Sequence, residues 1–205
     1  ALSVNDMLSN HYHNIYAKTL AKSNKKSIDT SIFFKEALES LNQPYNPSDV
    51  SNLSHTASRF SMLSKIIEAR IALGMNRQIF FIDRGGWDHH NEVVIPQSQL
   101  FREINEAIEL FWGNIVGLGL ENNVVLYTAS DFGRTLSSNG SGSDHAWGGN
   151  HFIISGNANG GKIYGQYPNL SIGGPDDVGR GRLLPTTPVD AYMAEIAGWF
   201  GVPQS

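Results

Sequence analysis

The sequence predicts an α/β protein with a mostly parallel sheet and helices on both faces. Short apolar runs, the length of buried strands, alternate with longer amphipathic stretches, the length of helices, in the order strand, helix, strand. All 21 Gly lie at or after Gly74, so a Gly-free segment precedes a Gly-rich one. Forty per cent of the 205 residues are hydrophobic, which is enough apolar material for a core and excludes wholesale disorder.

The Gly-free part reads as helix. Residues 5–22 form a first, moderately polar helix. Residues 29–41 form a second, with Asp29 as its N-cap and Phe33, Phe34, Ala37, Leu38 and Leu41 on one face. Pro44 and Pro47 then break the chain. A long helix follows over 53–73, where Leu53, Ala57, Phe60, Leu63, Ile67 and Ile71 recur at steps of three or four, and Gly74 caps it. The first 50 residues are therefore a helical N-terminal extension, and 51–205 is the α/β domain.

Residues 78–82, Gln-Ile-Phe-Phe-Ile, read as a buried strand. The clearest helix spans 95–118, with Phe101, Ile104, Ile108, Phe111, Ile115 and Leu118 on one stripe. Residues 124–127 and 152–154 are two more buried strands, and 162–164 is a short edge strand. Thr187 caps a last helix with Pro188 at its first position and Val189, Tyr192, Ile196 and Trp199 facing inward. A right-handed crossover through 95–118 should join the first two strands.

Charge and composition narrow the function. The net charge is −4, distributed as +2 over the first 76 residues and −6 over the rest, which argues against a nucleic-acid or anionic-membrane surface. No apolar run reaches the roughly 18–20 residues of a membrane span. Cys is absent, which excludes disulfides, thiolate metal sites and cysteine nucleophiles and fits an oxidising compartment. No charged-then-apolar leader opens the chain at Ala1, so any signal peptide is expected to lie before it.

In parallel sheets ligands bind at the carboxyl ends of the strands. After 78–82 comes Asp83-Arg84-Gly85-Gly86-Trp87-Asp88-His89-His90. After 124–127 comes Ser130-Asp131-Phe132-Gly133-Arg134. The next loop carries Ser143-Asp144-His145-Ala146-Trp147-Gly148-Gly149-Asn150-His151. Asp and neutral His together suit zinc or manganese, whereas carboxylates alone suit calcium or magnesium. Two cations roughly 3.5–4 Å apart would clamp a displacement at phosphorus or sulfur. Plainer roles compete at each position. Asp83 is as well read as a turn cap. His89 and His90 are adjacent, so at most one is a ligand. His151 is as well read as a hydrogen-bonded core residue. Arg134 either binds an anion or pairs with Asp131. His11, His13 and His55 fall on helices as surface or packing residues. Trp87, Trp147 and Trp199 are loop or core anchors, and Arg180 and Arg182 are solvated charge.

These loops resemble a known bacterial family. Gly85-Gly86-Trp87-Asp88-His89-His90, Ser130-Asp131-Phe132-Gly133-Arg134 and Asp144-His145-Ala146-Trp147-Gly148-Gly149 resemble three motifs of domain-of-unknown-function family 1501. Residues 160–165, Leu184-Pro185-Thr186-Thr187 and Trp199-Phe200-Gly201-Val202 resemble its C-terminal part. The resemblance covers about 50–205. The family commonly carries twin-arginine export signals and is similar to the alkaline phosphatase and sulfatase superfamily. It therefore implies an alkaline-phosphatase-like sheet and a two-metal site, with Asp88, His90 and His145 on one metal and Asp131 on the other. Phe132 stands where the superfamily has a metal-binding His. The superfamily's nucleophile comes early in the chain, and nothing before Gln78 resembles its strand and loop, so the sequence is expected to be the C-terminal portion of a longer protein or a natural half-version, in either case with the nucleophile loop absent.

The expected function is a metal-dependent hydrolase of phosphate or sulfate esters, periplasmic or extracellular, acting on an anionic ester. Arg134 would meet the substrate's anionic oxygens, and Asp144 and His151 would orient the ligating imidazoles from behind. The alternative is a non-catalytic secreted or cell-surface module, with polymer binding suggested by Trp and Tyr in the Gly-rich loops.

Overall fold

The computed structural model describes residues 4–9, 13–43 and 46–203. Its elements are α1 (Val4–Ser9), α2 (Ile15–Glu39), a 3₁₀ turn (Pro47–Val50), α3 (His55–Glu68), α4 (Val94–Gly117), β1 (Leu126–Tyr127), β2 (Gly133–Arg134), β3 (His145–Ala146), β4 (Ile153–Ile154) and α5 (Val189–Phe200). The chain divides into two compact units. One comprises Ala1–Asn52 with Met62–Ile79, and the other Leu53–Ser61 with Phe80–Ser205.

In the first unit α2 is one helix where two were expected. Residues 23–28 contain neither Gly nor Pro, so nothing interrupts the backbone ladder between the two segments. The cap is Asn14, whose side chain accepts from the Tyr16 and Ala17 amides at 2.8 and 3.2 Å. Asp29 is not a cap but a mid-helix residue, paired with Lys25 at 3.5 Å. The core of this unit joins Ala37 and Leu38 of α2 to Ala69 and Leu73, with Phe34, Leu41, Met62 and Ile66 packed against them. Burying each large aliphatic side chain contributes about 1.5–3 kcal/mol. Pro44 and His11 lie outside the described residues, and His13 precedes α2 rather than lying on a helix.

In the second unit α4 spans nearly the range its periodicity predicts. Its Pro96 lies in the first turn, where no backbone bond is lost. Leu100, Ala107, Phe111 and Ile115 are buried, and the Phe60 ring sits 5.2 Å from that of Phe111. Phe101, placed by periodicity on the same stripe, is instead turned off it and packs 5.0 Å from Trp87.

The sheet is the principal correction. The strands are short and pair two by two, antiparallel. β1 pairs with β4, with Leu126 opposite Ile154, and β2 pairs with β3, with Arg134 opposite His145. The mostly parallel, alkaline-phosphatase-like sheet with helices on both faces is therefore not the architecture of the described residues. Residues 78–82, expected as a buried strand, form no strand, with Ile79 76% and Phe81 87% exposed. A short apolar run has the composition of a strand whether or not a neighbour is there to take its amide and carbonyl groups. Composition carries no information about that partner. Residues 162–164 likewise form no strand, and Ile163 and Tyr164 are exposed. Strand β2–β3 arises inside what read as Gly-rich loop. Gly133 is what allows it: a Cβ there would lie 2.1 Å from the Gly148 carbonyl oxygen. In α5, Pro188 is the N-cap rather than the first helical residue, and Gly201 closes the helix in the left-handed region. Val189 and Trp199, expected inward, are exposed. Among the described residues no helix is long and apolar enough to cross a membrane.

Candidate metal centre

The centre is built by two segments of the second unit. The first is the loop 83–90. Arg84 pairs with Glu103 of α4 at 2.7 Å, and Trp87 donates its indole N–H to the Arg84 carbonyl at 2.7 Å while packing on Phe101. Those contacts fix the loop on α4 just before Asp88 and His90. Arg84, then Thr56, hold the Glu103 carboxyl below its usual range. Asp83 lies outside the cluster. It pairs with Arg59 at 3.0 Å, and that arginine lowers its pKa.

The second segment is the β2–β3 hairpin, which carries Arg134 on one strand and His145 on the other. The Thr135 amide donates to the Asp144 carbonyl at 3.0 Å, and the Asp144 amide donates to the Thr135 hydroxyl at 3.0 Å. The two segments are joined by backbone. The Ser143 amide donates to the His89 carbonyl at 3.2 Å, and Asn139 donates to the His90 carbonyl at 3.0 Å.

Asp88 is the centre of the resulting network. Its Oδ1 lies 2.7 Å from His145 Nε2, 2.9 Å from His90 Nε2 and 3.0 Å from Arg134 Nη1. One ligand atom from each of Asp88, His90 and His145 falls within 4.8 Å of the others, and all three side chains are exposed. The hydrogen bond from His145, reinforced by Arg134 and the charge of His90, holds the Asp88 carboxyl below its usual range. A carboxylate kept ionised is what a cation needs.

The imidazoles are held from behind. Phe132 stacks on His145 with centroids 4.1 Å apart and planes 3° from parallel. His90 Nδ1 lies 3.3 Å from Asp144 Oδ1. The Asp144 carboxylate also takes Asn139 Nδ2 at 2.9 Å and Arg180 Nη2 at 2.7 Å, and Asn139 followed by Arg180 lowers its pKa. Arg134 is largely enclosed. It bonds the Ser143 hydroxyl through Nε at 2.8 Å and the Ser143 carbonyl through Nη2, and its partner is Asp88 rather than Asp131.

The structure thus brings together Asp88, His90, His145, Arg134 and Asp144. It does not bring the other two there. Asp131 is exposed in the loop before β2 and is not in the cluster. His151 stacks on Tyr192 at 6.0 Å and faces the Thr128 hydroxyl at 3.4 Å, with its pKa lowered by burial. Tyr192, whose hydroxyl donates to the Thr128 carbonyl, is pushed up to about 12 by the same burial. Of the adjacent pair, His90 joins the cluster and His89 is buried, its Nε2 without a partner. Asn139, and Phe132 as a ring support, carry no signal in the sequence, and Arg180, expected as solvated charge, pairs instead with Asp144. The signal for Arg180 was its place between two Gly, a mark of unusual backbone. Two imidazoles and one carboxylate form a donor set for zinc or manganese, with fewer ligands than the four of a closed structural site.

The chain belongs to a recognised family. The family model described as "Protein of unknown function (DUF1501)" matches residues 10–178, beginning well before the first of the motifs. No curated protein and no solved structure matches it.

Proposed function

We propose that the chain holds the divalent cation of a metal-dependent hydrolase of phosphate or sulfate esters. The observation that carries this reading is the convergence of Asp88, His90 and His145 from two segments, with a guanidinium on the same carboxylate. A cation bound there would polarise an ester oxygen and activate a water. Three protein ligands leave a position for that oxygen. His90 and His145 must each present an unprotonated ring nitrogen in order to ligate. Arg134 Nη1 loses an acceptor once Asp88 turns to a cation, and it is then available to an anionic oxygen. Asp131 is outside the cluster, so the proposal takes one cation. The likeness to phosphatases and sulfatases enters through these loops alone. Export to the periplasm or cell surface is part of the same reading; it rests on the family resemblance, and the absence of Cys fits an oxidising compartment.

A second reading is a non-catalytic module that keeps one metal for stability. It is favoured by Phe132, which covers one face of His145 and offers no ligand atom. One experiment separates the two: titration with zinc and with manganese, followed by assay of aryl phosphate and aryl sulfate esters. Binding by this chain, lost in His145→Ala, is the expected result, with turnover expected only from a protein that also carries the superfamily's early nucleophile loop. Binding without turnover in that protein selects the second reading, and no binding in the parent overturns both.

A further inference from the structure

We infer that Arg180 is a positioning residue for this metal centre, acting through Asp144 on the imidazole of His90. The inference rests on the metal reading above and adds a residue that does not touch the cation.

Arg180 is the non-glycine residue at positive φ among those described, with φ 63°. L residues with a Cβ adopt that region at a cost, and single instances persist where the surroundings hold them. Here the surroundings are explicit. The Asp177 carboxylate accepts the amides of Gly173, Gly179 and Gly181, each at 2.8 Å. The Arg180 carbonyl accepts from the Ser137 amide at 3.2 Å, and the Gly181 carbonyl from the Leu136 amide at 3.1 Å. The turn is thereby fastened to the loop between β2 and β3.

The side chain shows what that conformation achieves. Arg182, two residues on, turns its guanidinium back on its own loop, to the carbonyls of Gly179 at 2.9 Å and Val178 at 3.3 Å. Arg180 instead reaches out to Asp144 Oδ2 at 2.7 Å. An exposed ion pair contributes little to folding, so folding alone gives no reason to keep a strained arginine there. The other end of the carboxylate does. Asp144 Oδ1 faces His90 Nδ1 at 3.3 Å, while His90 Nε2 lies 2.9 Å from Asp88 Oδ1 and is the nitrogen turned toward the cluster. A ligating imidazole is oriented by what holds its other nitrogen, and loss of that outer partner commonly weakens metal binding by about 10–100-fold. Arg180 fixes Oδ2, so the torsion that aims Oδ1 at His90 does not turn freely. Asn139 supports Oδ1 from the side.

The strain makes the role separable from folding. In Arg180→Gly the left-handed residue becomes unstrained, so the metal-free protein should melt at or above the parent's temperature. The same variant should bind zinc about tenfold more weakly by calorimetry. Arg180→Lys should recover part of the loss, and Asp144→Asn should lose at least as much as Arg180→Gly. Parent-like zinc affinity in Arg180→Gly, with binding abolished in His145→Ala, would overturn the role of Arg180 and leave the metal site standing. Absence of zinc binding in the parent would overturn both. A variant that loses affinity and metal-free stability together would assign Arg180 to folding and overturn the inference.

Discussion

At the scale of the residue, the centre depends on contacts that admit no extra atom. A Cβ on Gly142 would lie 2.6 Å from both the carbonyl carbon and the oxygen of His90, and 2.7 Å from the His89 oxygen. All three are backbone atoms, which cannot swing aside as a side-chain tip can. Gly142→Ala should therefore displace His90 and cost about 1–3 kcal/mol of stability. It should also weaken zinc binding, although no ligand atom is removed. Calorimetry on the variant checks this, and parent-like affinity would show that the hairpin yields without moving His90. Loss of the ring beneath His145 is a second case. Phe132→Leu keeps apolar volume but removes the parallel stacking, and should raise the zinc dissociation constant while leaving the metal-free melt within a few degrees of the parent. The residues that carry these effects were partly legible from the sequence. Asp and His on Gly-rich loops marked the segments, and the family resemblance singled out Asp88, His90 and His145 within them, along with Asp131, which lies outside the cluster. Asn139, Phe132 and Arg180 act through tertiary neighbours, and a linear sequence does not state its neighbours.

At the scale of the element, helices were legible and sheet pairing was not. The period of α4 places its buried positions within a few residues because the ladder that forms a helix is internal to the segment. A strand's hydrogen bonds go to another segment, so 78–82 and 152–154 look alike in composition, yet only the latter includes a paired strand. The buried face of α4 makes a stability prediction. Phe111 is 2% exposed, and Phe111→Ala should cost about 3–5 kcal/mol in denaturant unfolding. A loss below about 1 kcal/mol would mean that the face is not a core. The 177–183 turn gives a pH prediction. Backbone amides, that of Gly173 foremost, lower the Asp177 pKa from its ordinary 3.8. A carboxyl whose folded pKa is depressed stabilises the fold above its unfolded value, and that contribution fades as pH falls through the folded one. The parent should therefore melt above Asp177→Asn at pH 7, and the gap should close below about pH 4. A gap independent of pH would assign the effect to shape rather than charge.

At the scale of the whole molecule, the three candidate ligands lie between residues 88 and 145, in the unit that comprises Leu53–Ser61 and Phe80–Ser205. The other unit has its own core, around Ala37, Leu38, Ala69 and Leu73, and none of the three ligands. A cation bound to the folded form alone stabilises it by RT ln(1 + [L]/Kd), about 2.7 kcal/mol at a hundredfold excess over Kd. At roughly 2–4 °C per kcal/mol for a chain of this length, the midpoint should rise by several degrees. The gain should also be local, because a cation on Asp88, His90 and His145 would tie the loop before α4 to the β2–β3 hairpin, and both segments belong to one unit. Hydrogen exchange with and without zinc reads this directly. Amides such as Thr135 and Ser143, bonded to the Asp144 and His89 carbonyls, should slow by more than tenfold. Those in the middle of α2 should exchange at the metal-free rate. Equal slowing in both units would mean that they open as one, so that the metal stabilises a single cooperative fold. Slowing in neither would remove Asp88, His90 and His145 as a metal site, whatever their geometry.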